Sequence, residues 1–208
     1  MKKMMSKIAM GLGLSIALIA CTKDEETIVV PVSAITVKDL AADTVTGLGL
    51  DGRPQSAGTT TYYSLVDNKI IASSDAASTK WDIAFSSTKI TVNCGTSGPG
   101  IGGAFVFKGL FDDLKTLPVD STFATDNSNA ASFAIPLGSG RGWYTYDGLT
   151  TLVSPIAGRV LVIRTATGKF AKIEIISYYK GGVTLPASAS VNDKLFKQRY
   201  YTFRYAYQ

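Results

Sequence analysis

The chain has 208 residues, 46% hydrophobic and 18% charged, so it can build one domain with a substantial core. Its formal net charge is +5, but three lysines (2, 3 and 7) belong to a leader; without them 18 basic residues face 16 acidic ones. That balance of +2 gives no case for a nucleic-acid partner, and the absence of histidine excludes Ser/His and Cys/His catalysis in their usual forms and the usual zinc ligand sets.

Residues 1–20 read as a signal peptide: Lys2, Lys3 and Lys7, then an apolar run over 8–20 that is too short to span a bilayer comfortably. It ends Leu18-Ile19-Ala20-Cys21, which resembles a bacterial lipoprotein cleavage box. The resemblance implies that Cys21 carries the lipid anchor and starts the mature protein. All four methionines, at 1, 4, 5 and 10, leave with the leader, so the mature chain has neither His nor Met. Thr22-Lys23-Asp24-Glu25-Glu26 resembles the surface-export run of Bacteroidetes lipoproteins, and is equally a solvated tether. The tether extends over 21–34. Its apolar patch at 28–32 can add an early strand, which Pro31 confines to a sheet edge. A single domain occupies 35–208.

Residues 35–40 alternate weakly and predict a first strand, and 51–54 predict a turn. Strands are expected at 59–66 and 69–72, either side of an Asp67-Asn68 turn. In 80–85, alternation places Trp81, Ile83 and Phe85 on one face and Asp82 and Ala84 on the other. A short strand at 89–93 leads into a glycine-rich stretch, 94–103. A phosphate cradle there would need Gly-Lys-Ser/Thr and a helix; neither follows, so a plain flexible loop is expected. With Cys21 lipidated, Cys94 cannot form an internal disulfide; it reads as a small buried apolar residue, with a thiolate ligand as the sharper alternative.

A strand is expected at 104–108. Phe111, Leu114 and Leu117 recur in threes before Pro118, which predicts a helix over 111–117. Asp112 and Asp113 are the only adjacent carboxylates outside the tether, but helix neighbours point about 100° apart and make no acid/base pair. Polar loops cover 120–132 and 138–142, and an aromatic run, 143–148, ends in a turn. The clearest signal is a hairpin over 159–180. Its arms are rich in β-branched residues, and Gly168 suits the closing turn position because it takes positive φ without steric cost. In its second arm Ala171, Ile173, Ile175 and Ser177 face one way, and Lys172 and Glu174 define a wet face. Gly181-Gly182 ends that arm, and a loop runs to Asp193. In the last stretch Tyr201, Phe203, Tyr205 and Tyr207 alternate with Thr202, Arg204 and Ala206, a strand whose aromatic stripe belongs in the core. The fold class is all-β, mostly antiparallel, with at most one or two short helices.

Four blocks carry a family resemblance. They are Trp81-Asp82-Ile83-Ala84-Phe85 before a glycine-rich loop; Trp143-Tyr144, then Ser154-Pro155 and residues 160–165; residues 168–173 running to Ser177-Tyr178-Tyr179; and terminal Tyr201-Thr202-Phe203-Arg204-Tyr205. Together with the lipoprotein start, they resemble the HmuY family of Bacteroidetes haem-binding surface lipoproteins. The resemblance covers most of 59–208. It implies a cupped antiparallel β fold that captures haem at the outer surface and passes it to an outer-membrane receptor. In the founding type two histidines on loops at the cupped end hold the iron, and some relatives use methionines. Those positions would fall near 149–153 and 182–186, where this chain has Thr150, Thr151 and Val183. The ligand set therefore does not carry over with the fold.

The expected function is capture of haem, a related tetrapyrrole or another apolar small ligand for uptake, by a protein that is not an enzyme. If haem is the cargo, its ligation is neither His nor Met. Tyr144, Tyr146, Tyr178 and Tyr179 lie near the expected mouth, and tyrosine can hold haem iron; Cys94 is an alternative donor. The expected ligand-binding residues are Trp143, Tyr144, Tyr146, Thr151 and Val183, with no metal site of the protein's own. Two other readings stay open: a surface module for a glycan or peptide, using an exposed Trp143 for sugar stacking, and a structural or interaction lipoprotein.

Overall fold

The computed structural model describes residues 33–118, 120–128 and 132–207. The leader, Cys21 and the expected edge strand at 28–32 lie outside the described residues. In chain order the strands are β1 (Ile35–Ala41), β2 (Val45–Leu48), β3 (Pro54–Ser56), β4 (Thr61–Ser64), β5 (Lys69–Ile71), β6 (Ile83–Ser86), β7 (Lys89–Val92), β8 (Gly103–Lys108), β9 (Tyr144–Asp147), β10 (Leu152–Pro155), β11 (Arg159–Arg164), β12 (Phe170–Tyr179) and β13 (Gln198–Tyr207). Among the described residues a 3-10 turn covers Ser73–Asp75, and one α-helix, α1 (Val191–Phe196), precedes the last strand.

Two antiparallel sheets form the body. The larger runs β1-β13-β12-β11-β8, and the smaller runs β5-β4-β6-β7. Two ribbons, β2-β3 and β9-β10, stand apart from them. Alternation along β6 and β7 sends Ile83, Phe85, Ile90 and Val92 into the same cluster as Leu161, Ile163, Ile173 and Ile175 of the larger sheet, so the sheets pack face to face.

The aromatic stripe of β13 fills the space between them. Tyr201, Phe203 and Tyr205 have no exposed surface. Phe85 lies 4.8 Å from Tyr201 and 5.6 Å from Phe203, and Tyr63 meets Phe203 edge-on at 5.8 Å. Each buried tyrosine hydroxyl finds a carbonyl on the opposite side: Tyr201 donates to Ser87 at 2.8 Å and Tyr205 to Leu65 at 3.0 Å. The rings thus fill volume while their polar ends stay satisfied.

Four expectations differ from the structure. Residues 111–113 form a turn and 114–117 run on without helix. Phe111, Leu114 and Leu117 do share one surface, but it is the back of the larger sheet, where they pack on Val160, Val162 and Ala206. That covering segment also dries the face expected to be wet. Lys172 is 3% exposed, and its ammonium donates to the carbonyls of Phe111 (2.6 Å) and Leu114 (2.9 Å). The Phe111 carbonyl, which a helix would have given to the Lys115 N–H, is captured by the lysine instead; the Leu114 carbonyl would have faced Pro118, which has no N–H. Phe111 lies between the Lys172 ammonium and the Arg204 guanidinium, each 4.3 Å from its ring, and Arg204 pairs with Glu174 and Asp112.

Trp81 is the second difference. Strand β6 begins only at Ile83, so Trp81 escapes the alternation and packs with Ala84, Ile71 and Tyr62. Asp82 beside it is buried and accepts the Leu65 and Ala166 N–H groups at 2.8 and 3.1 Å; burial raises its pKa. The glycine-rich stretch is the third. It wraps buried Asn93, whose side chain accepts the Gly100 N–H (2.9 Å) and donates to the carbonyls of Ser78 and Trp81. A Cβ on Gly98 would stand 2.2 Å from the Asn93 side-chain oxygen, so close backbone approach accounts for glycine there. The fourth is α1, which falls across the end of the expected loop and the residues beyond it. Ser190 caps it by accepting the Asp193 N–H at 3.1 Å.

Replacing Tyr205 with Phe keeps the ring and deletes the donor to the buried Leu65 carbonyl. The expected loss is about 1–3 kcal/mol of unfolding free energy with an unchanged denaturant slope, measured by urea titration.

Candidate functional site

The ribbon β9-β10 leaves the sandwich beside β12 and is tied down at its base. Val153 donates its N–H to the buried Tyr179 hydroxyl at 3.0 Å, and Ile156 donates to the Trp143 carbonyl at 2.9 Å. Trp143 itself donates its indole N–H to Thr88 at 3.0 Å. It is 2% exposed, with its ring centre 5.0–5.6 Å from those of Tyr144, Tyr178 and Tyr201. This corrects the expectation of an exposed Trp143: it anchors the ribbon and offers no face for stacking a sugar.

The tip of the ribbon is built by Asp147. Its carboxylate accepts the Thr150 hydroxyl at 2.6 Å and the Leu149 N–H at 2.9 Å, and Thr151 takes a φ of 59°. Leu149 is consequently thrust out with 97% exposure, and Tyr146 is half-exposed.

Facing this tip are the ribbon β2-β3 and the helix α1. The three elements enclose a cleft of about 590 Å³, within the range of roughly 300–1,000 Å³ usual for small-molecule sites. Its apolar lining is Leu48, Pro54, Leu149, Val153, Val191 and Leu195. Two cations, Arg53 and Lys194, line it as well. Arg53 holds Asp51 in an exposed pair at 3.6 Å, and the Lys194 ammonium donates to the Ala187 carbonyl at 2.7 Å. Tyr146, Thr150, Thr151 and Gln198 complete the polar share.

Tyr146 and Thr151 thus line the cleft. Trp143 and Tyr144 do not, because they sit below it against the sandwich. Val183 is exposed, but lies at a separate crevice of about 10 Å³ that shares only Val153 with the cleft. Tyr178 and Tyr179 are buried, and burial raises both phenols above their ordinary pKa. Cys94 is 1% exposed and accepts the Asp126 N–H at 3.4 Å; burial also raises its thiol pKa, which suits a packing residue rather than a metal donor. Arg53, Leu149, Val191 and Lys194 carry no joint sequence signal. They are remote in the chain, and the only local hint was Ser190 three residues before Asp193, a helix-start pattern.

A β-sandwich with an amphiphilic cleft at a ribbon tip has the build of a small-ligand binding protein. The HmuY protein family model matches residues 56–189, and the chain belongs to that family. No curated protein matches the chain. Among solved structures, a Bacteroides fragilis protein described as a lipoprotein gives a TM-score of 0.48 at 14% identity, over 83% of this chain and 88% of its own. An apo HmuY analogue from Tannerella forsythia gives 0.46 at 14% identity, over 88% and 99%. A Bacteroides vulgatus protein described as HmuY-like and haem-binding gives 0.42 at 11% identity, over 86% and 97%.

The Asp147 hydrogen bonds favour its ionised form, the Thr150 hydroxyl most, so its pKa lies below the ordinary 3.8. The tip geometry is therefore retained above pH 3.8 and lost as pH falls through the lower folded value. An NMR titration of the Asp147 carboxyl should show this depression, and Thr150→Ala should move the midpoint back towards 3.8.

Proposed function

We propose that the protein captures haem or a closely related tetrapyrrole in the cleft between the β9-β10 tip, the β2-β3 ribbon and α1. The observation that carries this is the pairing of an apolar wall with two cations in a chain of the HmuY family. A tetrapyrrole is a flat apolar ring with carboxylates along one edge. Leu48, Leu149, Val153 and Leu195 suit the ring, and Arg53 and Lys194 suit the carboxylates.

Iron is held, in this reading, by Tyr146. Its phenol is half-exposed at the cleft wall, and tyrosine is a recognised haem-iron ligand. The lining contains no other phenol and no thiol, imidazole or thioether. Cys21 anchors the protein in the outer membrane, facing outward, and the captured ligand passes to an outer-membrane receptor for uptake. The role is carriage without chemistry. This is supported by the leader ending Leu18-Ile19-Ala20-Cys21 and by family membership.

Titrating the mature protein with haemin should shift the Soret band saturably at micromolar protein. Metal-free protoporphyrin should quench tryptophan fluorescence in the same range. Replacing both Arg53 and Lys194 with Ala should weaken both ligands about three- to tenfold, as expected for two exposed charge pairs. Tyr146→Phe should abolish the haemin spectral shift and leave protoporphyrin binding unchanged. No band shift and no quenching at micromolar protein would remove the reading.

A further inference from the structure

A second cleft, of about 310 Å³, opens on the outer face of the smaller sheet, away from the proposed cargo site. The alternation that sends Ile83, Phe85, Ile90 and Val92 inward turns Ala84, Ser86, Lys89 and Thr91 outward into it. Tyr62, paired with Ala84 across β4 and β6, adds an aromatic ring, and Phe133 adds another. The glycine-rich loop supplies Thr96 and Ser97.

Two features distinguish this cleft from an ordinary solvated face. The hydroxyls of Tyr62, Ser86, Thr91, Thr96 and Ser97 have no hydrogen-bond partner among the described residues. Thr91 is only 8% exposed, but its hydroxyl is not one of the buried unpaired polar atoms and stays open to the cleft. Lys89 is also the sole charged residue of the lining. Its ammonium forms no ion pair among the described residues and stands 5.9 Å from the Phe133 ring.

Hydroxyls both donate and accept, aromatic rings pack on the apolar face of a pyranose, and a cation unopposed by any carboxylate selects negative charge. The volume is at the small end of the range for ligand sites, enough for one ring. We propose that this cleft binds an acidic sugar residue: a pyranose bearing free hydroxyls and one carboxylate. Lys89 pairs with the carboxylate, Thr91 and Ser86 take ring hydroxyls, and Tyr62 or Phe133 covers the ring face. The site is independent of the tetrapyrrole cleft and shares no lining residue with it.

Saturation-transfer NMR of the mature protein with glucuronic acid, and with glucose as the neutral control, tests this. Transfer to glucuronic acid at millimolar concentration is expected, with weaker or no transfer to glucose. Lys89→Ala should weaken glucuronic acid about fivefold, the effect of one exposed charge pair, and Thr91→Val should weaken it further. Both variants should melt like the parent and titrate haemin as the parent does, so failure here is separable from failure of the cargo reading. Lys89→Gln replaces Lys89→Ala if the latter does not fold. No transfer to glucuronic acid, equal transfer to glucose, or an unchanged affinity in the Lys89 variant overturns the proposal.

Discussion

The aromatic stripe of β13 decides what this protein can and cannot do. Tyr201, Phe203 and Tyr205 alternate along one strand, and each is fully buried between the two sheets. Two of the three carry hydroxyls that reach carbonyls on the opposite side, at 2.8 and 3.0 Å. Rings of that size, hydrogen-bonded at their far ends, leave the interior close-packed. A flat ligand as large as a tetrapyrrole has no room there, so binding is displaced to the margins, where ribbons and loops leave clefts.

The margin that matters most is held by the same core. Trp143 and Tyr179 belong to the main cluster, yet each sends one polar group to a neighbouring segment: the indole N–H to Thr88, and the phenol to the Val153 N–H. The β9-β10 ribbon is therefore fixed at its base while its tip is shaped locally by the Asp147 turn. Binding groups mounted this way are positioned by packing beneath them rather than by contacts with the ligand. In the proposed function the cargo is haem, and Tyr146, the one phenol of the cleft lining, is its iron donor.

Much of the sandwich was legible because alternation is a local signal. The hairpin of β11 and β12, the terminal strand, and the strands at β4, β5, β7 and β8 fall where period-2 patterning placed them. The covering segment was misread because spacing in threes reports only that Phe111, Leu114 and Leu117 share a surface. It does not report that Lys172, far along the chain, takes the Phe111 carbonyl that a helix would use. The short helix α1 was missed because six residues hold too little periodicity to count. Of the expected binding residues, Tyr146 and Thr151 line the cleft. Trp143 was misplaced because an aromatic residue before a turn reads the same whether it faces solvent or core. Arg53 and Lys194 were invisible, since only the folded chain brings the β2-β3 ribbon to the helix.

The central claim is that the packed interior confines the main ligand to the cleft at the ribbon tip. Amide chemical-shift mapping with diamagnetic zinc protoporphyrin tests this most directly. The largest perturbations should cluster at 48–54, 146–153 and 191–198, with the β13 core amides near 201–205 little changed. Largest shifts instead at Tyr178, Tyr201 and Phe203, or at Lys89 and Thr91 on the opposite cleft, would contradict it.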